Sequence, residues 1–307
     1  MALRKTFFTS RNSVIVDLPL PIAVACHDAG AANHIVAWLR ADDIGHCVKP
    51  YMDGPARKVW EDAFPGIGMA PSIEEALTGA AALLSGTGWA SSLEHEARIA
   101  AHRFGLRAVA MVDHWTNYES RFVRDGIREL PEEIWVVDEY AYALAERTFE
   151  GCDVRLKADM YTQQLIAEVP PIAEVNGNQL LYILEPARAD WGRGIQGEFQ
   201  ALDYMFDRLE LMGLPPDTSI RLRPHPSDPP GKYDACLARE WGYDIALDQG
   251  NLTDSLAKAK WVAGCESFAL TLALRAGRTV FCTLPPWAPV CRLPHSGLIH
   301  LKDISPV

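Results

Sequence analysis

The sequence predicts an α/β protein built of two similar halves, and three observations predict it. Short apolar runs alternate with longer helical ones along the chain, as in proteins with a parallel sheet. At 307 residues the chain is long for one hydrophobic core and comfortable for two. One strand–turn–helix–strand pattern also occurs twice, as LLSGTGWASSLEHEARIAAHRFGLRAVAMVDHW and again as WVAGCESFALTLALRAGRTVFCTLPPW. The expected architecture is two Rossmann-like domains facing each other across a cleft.

In the first half the expected strands are 22–26, 81–85, 108–112 and 134–137, with helices over 31–40, 90–104 and 139–149. The paired prolines and the Gly flanked by asparagines in Pro170–Gln179 then break the pattern and read as a linker. The alternation restarts beyond it. Strands are expected over 180–184, 219–223, 261–264 and 279–283, and helices over 197–212, 233–241, 252–258 and 268–275. Asn251 is the expected cap of the third of these helices. The domains are therefore placed at residues 1–172 and 173–307.

Composition narrows the function. A hydrophobic content of 49% with 22% charged residues is that of an ordinary globular protein. A net charge of −11 argues against a nucleic-acid partner, which needs a basic face, but leaves room for a local arginine cluster around a small anion. No apolar run reaches the length of a membrane helix, and MALRKTFFTSRNS lacks the core of a signal peptide. The seven cysteines are scattered without a CxxC pair, which suits reduced thiols, a cytoplasmic location and no structural disulfide. Peripheral membrane association is compatible with the sequence and not indicated by it.

Ser219–Asp228, SIRLRPHPSD, holds one histidine between two prolines at a strand end. Each proline fixes its own φ and restricts the residue before it, so His225 is held rigidly beside Arg223. Ligands of parallel sheets bind at strand carboxyl ends, and an imidazole there can steady a departing phosphate. A histidine bonded to loop backbone is the plainer alternative. In Gly264–Leu270, a strand ends at Gly264 and a helix starts near Glu266 and Ser267, giving free N–H groups and a positive dipole end. Ser267 is equally a plain N-cap.

The matching turn of the first half, 86–94, offers Gly86, Thr87, Gly88 and Ser91, and could as well be a packing turn. It is neither GxGxxG nor a Walker loop. His27 and Asp28 follow the first strand, and Asp113 and His114 follow the third. Either aspartate suits a general base, with His27 or His114 as alternatives, and Asp28 also suits a helix cap. Trp115, Asn117 and Tyr118 resemble a sugar-stacking loop, and Trp89, Trp191 and Trp287 suit either stacking or a core. Arg188 is a further binding candidate. No HExxH or close ligand set points to a metal.

This arrangement resembles the GT-B glycosyltransferases, most closely the bacterial sialyltransferase-like and capsule or teichoic-acid polymerase-like enzymes. The resemblance rests on His225-Pro226 at a strand end and on Ser267 in a downstream Gly-x-x-Ser turn. It covers the two-domain plan and about ten residues; the paired acidic-Gly motif is missing and the Ser motif is single. It implies a transferase moving a sugar from a CMP- or CDP-linked donor, in preference to UDP, to a hydroxyl acceptor of a glycan. Residues 1–172 would take the acceptor and 173–307 the donor. Asp113 or Asp28 would be the base, His225, Arg223 and the helix start at Ser267 would hold the leaving phosphate, and no cofactor or metal is implied. The rivals are an epimerase or hydrolase of nucleotide sugars and a non-catalytic binding partner.

Overall fold

The computed structural model describes residues 14–88, 91–186 and 188–305. The chain divides into two compact units, Met1–Tyr161 and Thr162–Val307. Unit 1 runs β1 (Ile22–Cys26), α1 (Ala29–Ala41), β2 (Val48–Met52), α2 (Gly54–Ala63), α3 (Ile73–Leu77), β3 (Ala82–Ser85), α4 (Leu93–Arg103) and β4 (Arg107–Met111). A hairpin of β5 (Val123–Arg124) and β6 (Ile127–Arg128) follows, then β7 (Glu133–Val136), α5 (Glu139–Thr148) and β8 (Asp153–Leu156). The division between the units falls within α6 (Met160–Ala167).

Six strands of unit 1 form one parallel sheet in the order β2-β1-β3-β4-β7-β8. All five residues of β1, IAVAC, are buried, as a strand covered on both faces requires. Its alternate side chains feed two cores. Ile22, Val24 and Cys26 pack with Trp38 of α1 and Trp60 of α2, whereas Ala23 and Ala25 pack with Ala76 and Leu77 of α3 and Ala97 of α4.

Unit 2 runs β9 (Gln179–Ile183), α7 (Gly197–Phe206), β10 (Ser219–Arg223), α8 (Asp234–Leu237), β11 (Ile245–Leu247), α9 (Leu252–Lys258), β12 (Trp261–Gly264), α10 (Phe268–Arg275), β13 (Thr279–Cys282) and β14 (Ile299–His300). Its parallel sheet has the order β11-β10-β9-β12-β13-β14, the strand order of a Rossmann sheet. Leu180 and Tyr182 of β9 pack with Ile220 and Leu222 of β10 and with Leu202 and Met205 of α7. Asn251 caps α9, its side chain accepting the Asp254 N–H at 2.8 Å. The expected α/β class and the two Rossmann-like sheets are thus both present. Pro170–Gln179 lies in the second unit and leads straight into β9.

The repeated pattern occupies corresponding places, β3-α4-β4 in unit 1 and β12-α10-β13 in unit 2. Besides the β5–β6 hairpin, four strands were not expected, namely β2, β8, β11 and β14, and they are the four edges of the two parallel sheets. β2 carries Pro50 in its middle, which an edge strand tolerates because one row of its N–H groups has no sheet partner. Two expected helices are shorter. The 197–212 helix ends at Phe206 and resumes as a 3-10 turn over Leu209–Met212, and only Asp234–Leu237 of 233–241 is α-helical.

Candidate functional site

An open parallel sheet leaves a crevice where the connections from two neighbouring strands depart in opposite directions. In unit 1 that point lies between β1 and β3, and in unit 2 between β9 and β12. The side chains that follow these four strands define a candidate site in each unit.

At the unit 1 switch point the loop after β1 meets the loop after β3. The His27 backbone N–H donates to Glu94 Oε1 at 2.7 Å, and the His27 ring Nδ1 lies 2.8 Å from Asp28 Oδ1. Glycines make the approach possible. A Cβ on Gly88 would lie 2.7 Å from the Asp28 carboxyl, and one on Gly86 would lie 2.6 Å from Cys26 Sγ. A Cβ on Gly30, at the start of α1, would lie 1.8 Å from Asp113 Oδ2, so that carboxylate rests on bare backbone. Gly54 does the same for the His27 ring, whose Nε2 would be 2.5 Å from a Cβ there.

The carboxyl groups of this site are pushed in opposite directions. Burial raises Glu94, with Asp28 adding to the effect, and its Oε2 makes no hydrogen bond among the described residues. Burial would raise Asp113 too, but Arg121 at 3.0 Å, helped by His114 and His34, outweighs it and holds Asp113 below the usual carboxylate range. Arg121 also reaches Thr87, its Nη1 lying 3.2 Å from the Thr87 Oγ1. His27, Asp28 and Asp113 remain partly open to solvent.

At the unit 2 switch point, carboxylates and cations alternate. Glu185, after β9, accepts the Glu266 backbone N–H at 2.6 Å and is paired with Arg188. Glu266, after β12, accepts from Arg188 at 3.3 Å and from the Arg292 guanidinium at 2.6 Å and backbone N–H at 3.0 Å. Burial would raise Glu266, but Arg292 and Arg188 together hold it low. Ser267 caps α10, its Oγ accepting the Ala269 N–H at 3.2 Å. The loop after β10 is fastened by Asp228, which accepts the His225 N–H at 2.9 Å, the Lys232 ammonium at 2.7 Å and the Tyr233 hydroxyl at 3.0 Å. His225 and Pro226 are exposed, and the His225 ring Nδ1 lies 2.7 Å from Ser227 Oγ.

The sequence candidates therefore sort as follows. His27, Asp28, Gly86, Thr87, Gly88 and Asp113 come together in unit 1, and Arg188 and Glu266 in unit 2. Thr87 is fully buried and donates to the Met111 carbonyl, so its hydroxyl faces the protein rather than a ligand. Ser91 accepts the Leu93 N–H at 3.1 Å, and His114 lies against Thr116 Oγ1. Arg223 donates to Asp248 at 2.6 Å and to the Gly250 carbonyl, which ties it to the exit of β11. Gly264 is explained by β9, since a Cβ there would lie 2.9 Å from the Ile183 carbonyl oxygen.

The expected sugar-stacking loop is also corrected. Trp115 and Tyr118 are core side chains, and the Trp115 indole donates to Asp138 at 2.8 Å. Trp191 packs against Gly197, Trp287 is partly exposed beneath Arg193, and Trp89 lies outside the described residues. Glu94, Arg121, Glu185 and Arg292 were missed. Glu94 closes the 86–94 turn and Glu185 follows a strand, so position alone could have flagged both; Arg121 sits in a short 3-10 turn and Arg292 in a loop, with no local signal at either. No described helix is long and apolar enough to cross a membrane.

No protein-family model matches the sequence, and no curated protein matches it. Solved structures do. S. aureus MnaA, solved with UDP, aligns over 86% of this chain and 79% of its own at 10% identity, with a TM-score of 0.58. The UDP-GlcNAc 2-epimerase of Methanocaldococcus jannaschii aligns over 85% and 83% at 10% identity and 0.57, and Anabaena HepE, solved with UDP and glucose, over 93% and 88% at 10% identity and 0.53. At these identities the likeness is one of fold. The two Rossmann-like units of this chain have the GT-B architecture of those structures.

Proposed function

We propose that this chain is an enzyme acting on a nucleotide sugar, that the nucleotide is UDP, and that the reaction inverts a carbon centre of the sugar. The observation that carries this is the set of groups at the unit 1 switch point. Epimerisation takes a proton from carbon and returns one to the other face, so it needs groups that accept protons and groups that hold them. Environments that push neighbouring titratable groups apart supply both, as with Glu94 held up and Asp113 held down. His27 is the accepting group in this proposal. With Nδ1–H donated to Asp28, its Nε2 keeps a lone pair, and Asp28 steadies the imidazolium that forms.

Residues 173–307 bind the nucleotide. The amino end of α10, with His225, Arg188 and Arg292 nearby on the same sheet edge, suits a diphosphate that gathers charge as its bond to the sugar stretches. UDP in place of CMP or CDP is supported by the S. aureus and Anabaena structures, and epimerisation by the M. jannaschii one. Transfer to a hydroxyl acceptor is the second reading. It needs one base only, and Asp113, which Arg121 keeps ionised, favours it.

The test is incubation with UDP-GlcNAc in deuterated water without any acceptor, followed by NMR. Deuterium on a sugar carbon together with a second epimer is the expected result, and His27→Ala should abolish both. Donor that stays unchanged until a glycan acceptor is supplied would instead establish transfer. UDP should also raise the melting temperature more than CMP or CDP at equal concentration.

A further inference from the structure

Beneath the β12 exit turn, two cysteine sulfurs converge on one carbonyl oxygen. Cys282 ends β13 and is fully buried, with its Sγ 3.2 Å from the Cys265 carbonyl oxygen. Cys291 arrives from the segment after β13 and is half-buried, with its Sγ 3.9 Å from that same oxygen. The two thiols also interact with each other, which lowers Cys291 below the usual thiol range and raises Cys282. Burial pushes the Cys26, Cys152, Cys236 and Cys265 thiols up. The more exposed member of the pair is therefore also the better nucleophile.

We propose that Cys282 and Cys291 form a dithiol site that hydroperoxides oxidise to a disulfide. The Cys291 thiolate attacks one oxygen of hydrogen peroxide, the O–O bond breaks, and hydroxide leaves, giving a sulfenic acid at Cys291. The Cys282 thiol then attacks that sulfur, the S–S bond forms, and water leaves with the Cys282 proton. Peroxide is reduced by two electrons and the two thiols are oxidised by the same two. A reducing thiol reverses the bond by exchange. The pair sits beside the unit 2 network, because Arg292 is the next residue and both its backbone and its guanidinium hold Glu266. Closing the disulfide restrains that segment and so acts on Glu266.

The test uses the full chain, treated with hydrogen peroxide, alkylated, digested and mapped by mass spectrometry. A Cys282–Cys291 cross-linked peptide should dominate, two of the seven thiols should be lost, and dithiothreitol should restore both. Cys291→Ser should give no cross-link while keeping the wild-type melting temperature. A Cys291 oxidised only to sulfinic acid with Cys282 still alkylatable, or cross-links that join other cysteines, would overturn the proposal. None of these readouts depends on whether UDP binds.

Discussion

Each unit has its switch point beside its first strand, between β1 and β3 or between β9 and β12, and the two are built on opposite electrostatics. In unit 1, Asp28, Glu94 and Asp113 gather with Arg121 held to Asp113, and Glu94 is left with a buried oxygen that makes no described hydrogen bond. In unit 2, Glu185 and Glu266 are threaded between Arg188 and Arg292. A buried charge is tolerated when paired and otherwise drives its own neutralisation. Topology thus fixes where the strand exits diverge, and the partner of each carboxylate decides whether its charge is held or opposed.

The strongest way to break this contrast is to remove Glu266. Glu266→Ala leaves Arg188 and Arg292 without their shared carboxylate and should cost about 3 kcal/mol, the low end for a broken buried pair because Arg292 can turn to water. Urea unfolding at neutral pH measures it, and a loss below about 1 kcal/mol would mean that the network is decorative. The sign with pH follows from the lowered carboxyl. Its contribution is complete above the ordinary value of 4.5 and fades as the pH falls through the lower folded value, so wild type and variant should converge in acid.

Gly30→Ala attacks the other unit. The added methyl would meet Asp113 Oδ2, and Asp113 cannot swing aside without leaving Arg121. Overpacking of this kind costs about 1–3 kcal/mol. The variant should also lose turnover far beyond that loss of stability, read as kcat at a temperature where it remains folded. Unchanged kcat would remove Asp113 from the chemistry.

How far the sequence foretold these sites depended on burial. Central strands such as β1, β4, β9 and β12 are apolar on both faces and stand out as short runs, whereas the edge strand DVRL of β8 looks like a loop until a neighbour pairs with it. Candidate residues at strand exits, among them His27, Asp28, Asp113 and Glu266, were legible because a strand end is a local feature. Arg121 and Arg292 were not, since each comes to a carboxylate through a loop whose course no local pattern encodes. Arg223 shows the converse failure: its place beside His225 in sequence says nothing of Asp248, which joins it only across the β10–β11 pair.

Ser267→Ala sharpens the comparison at a smaller scale. Loss of the cap on α10 should cost about 1 kcal/mol. If Ser267 does no more than cap, the melting shift induced by UDP should match that of wild type. A shift that falls several-fold would show the hydroxyl on the nucleotide as well.

The most diagnostic effect, and the smallest at neutral pH if the carboxyl is raised only slightly, belongs to Glu94→Gln. The glutamine keeps an oxygen for the His27 N–H and removes the charge that burial and Asp28 oppose. Glu94 has its carboxyl raised in the folded protein, so its favourable contribution is complete below the ordinary value of 4.5 and is lost as the pH rises through the folded value. Stability of wild type relative to Glu94→Gln should therefore decline as the pH rises, by about 1.4 kcal/mol for each unit that the carboxyl is raised. At neutral pH the variant should be as stable as wild type or more so, opposite in sign to Glu266→Ala. Thermal melts of both variants, from acid well below 4.5 up to pH 8, give the Glu266 slope at the acid end and the Glu94 slope above it. Parallel slopes would mean that the two switch points hold their carboxylates in the same way, and the proton-moving role proposed for unit 1 would fall with that contrast.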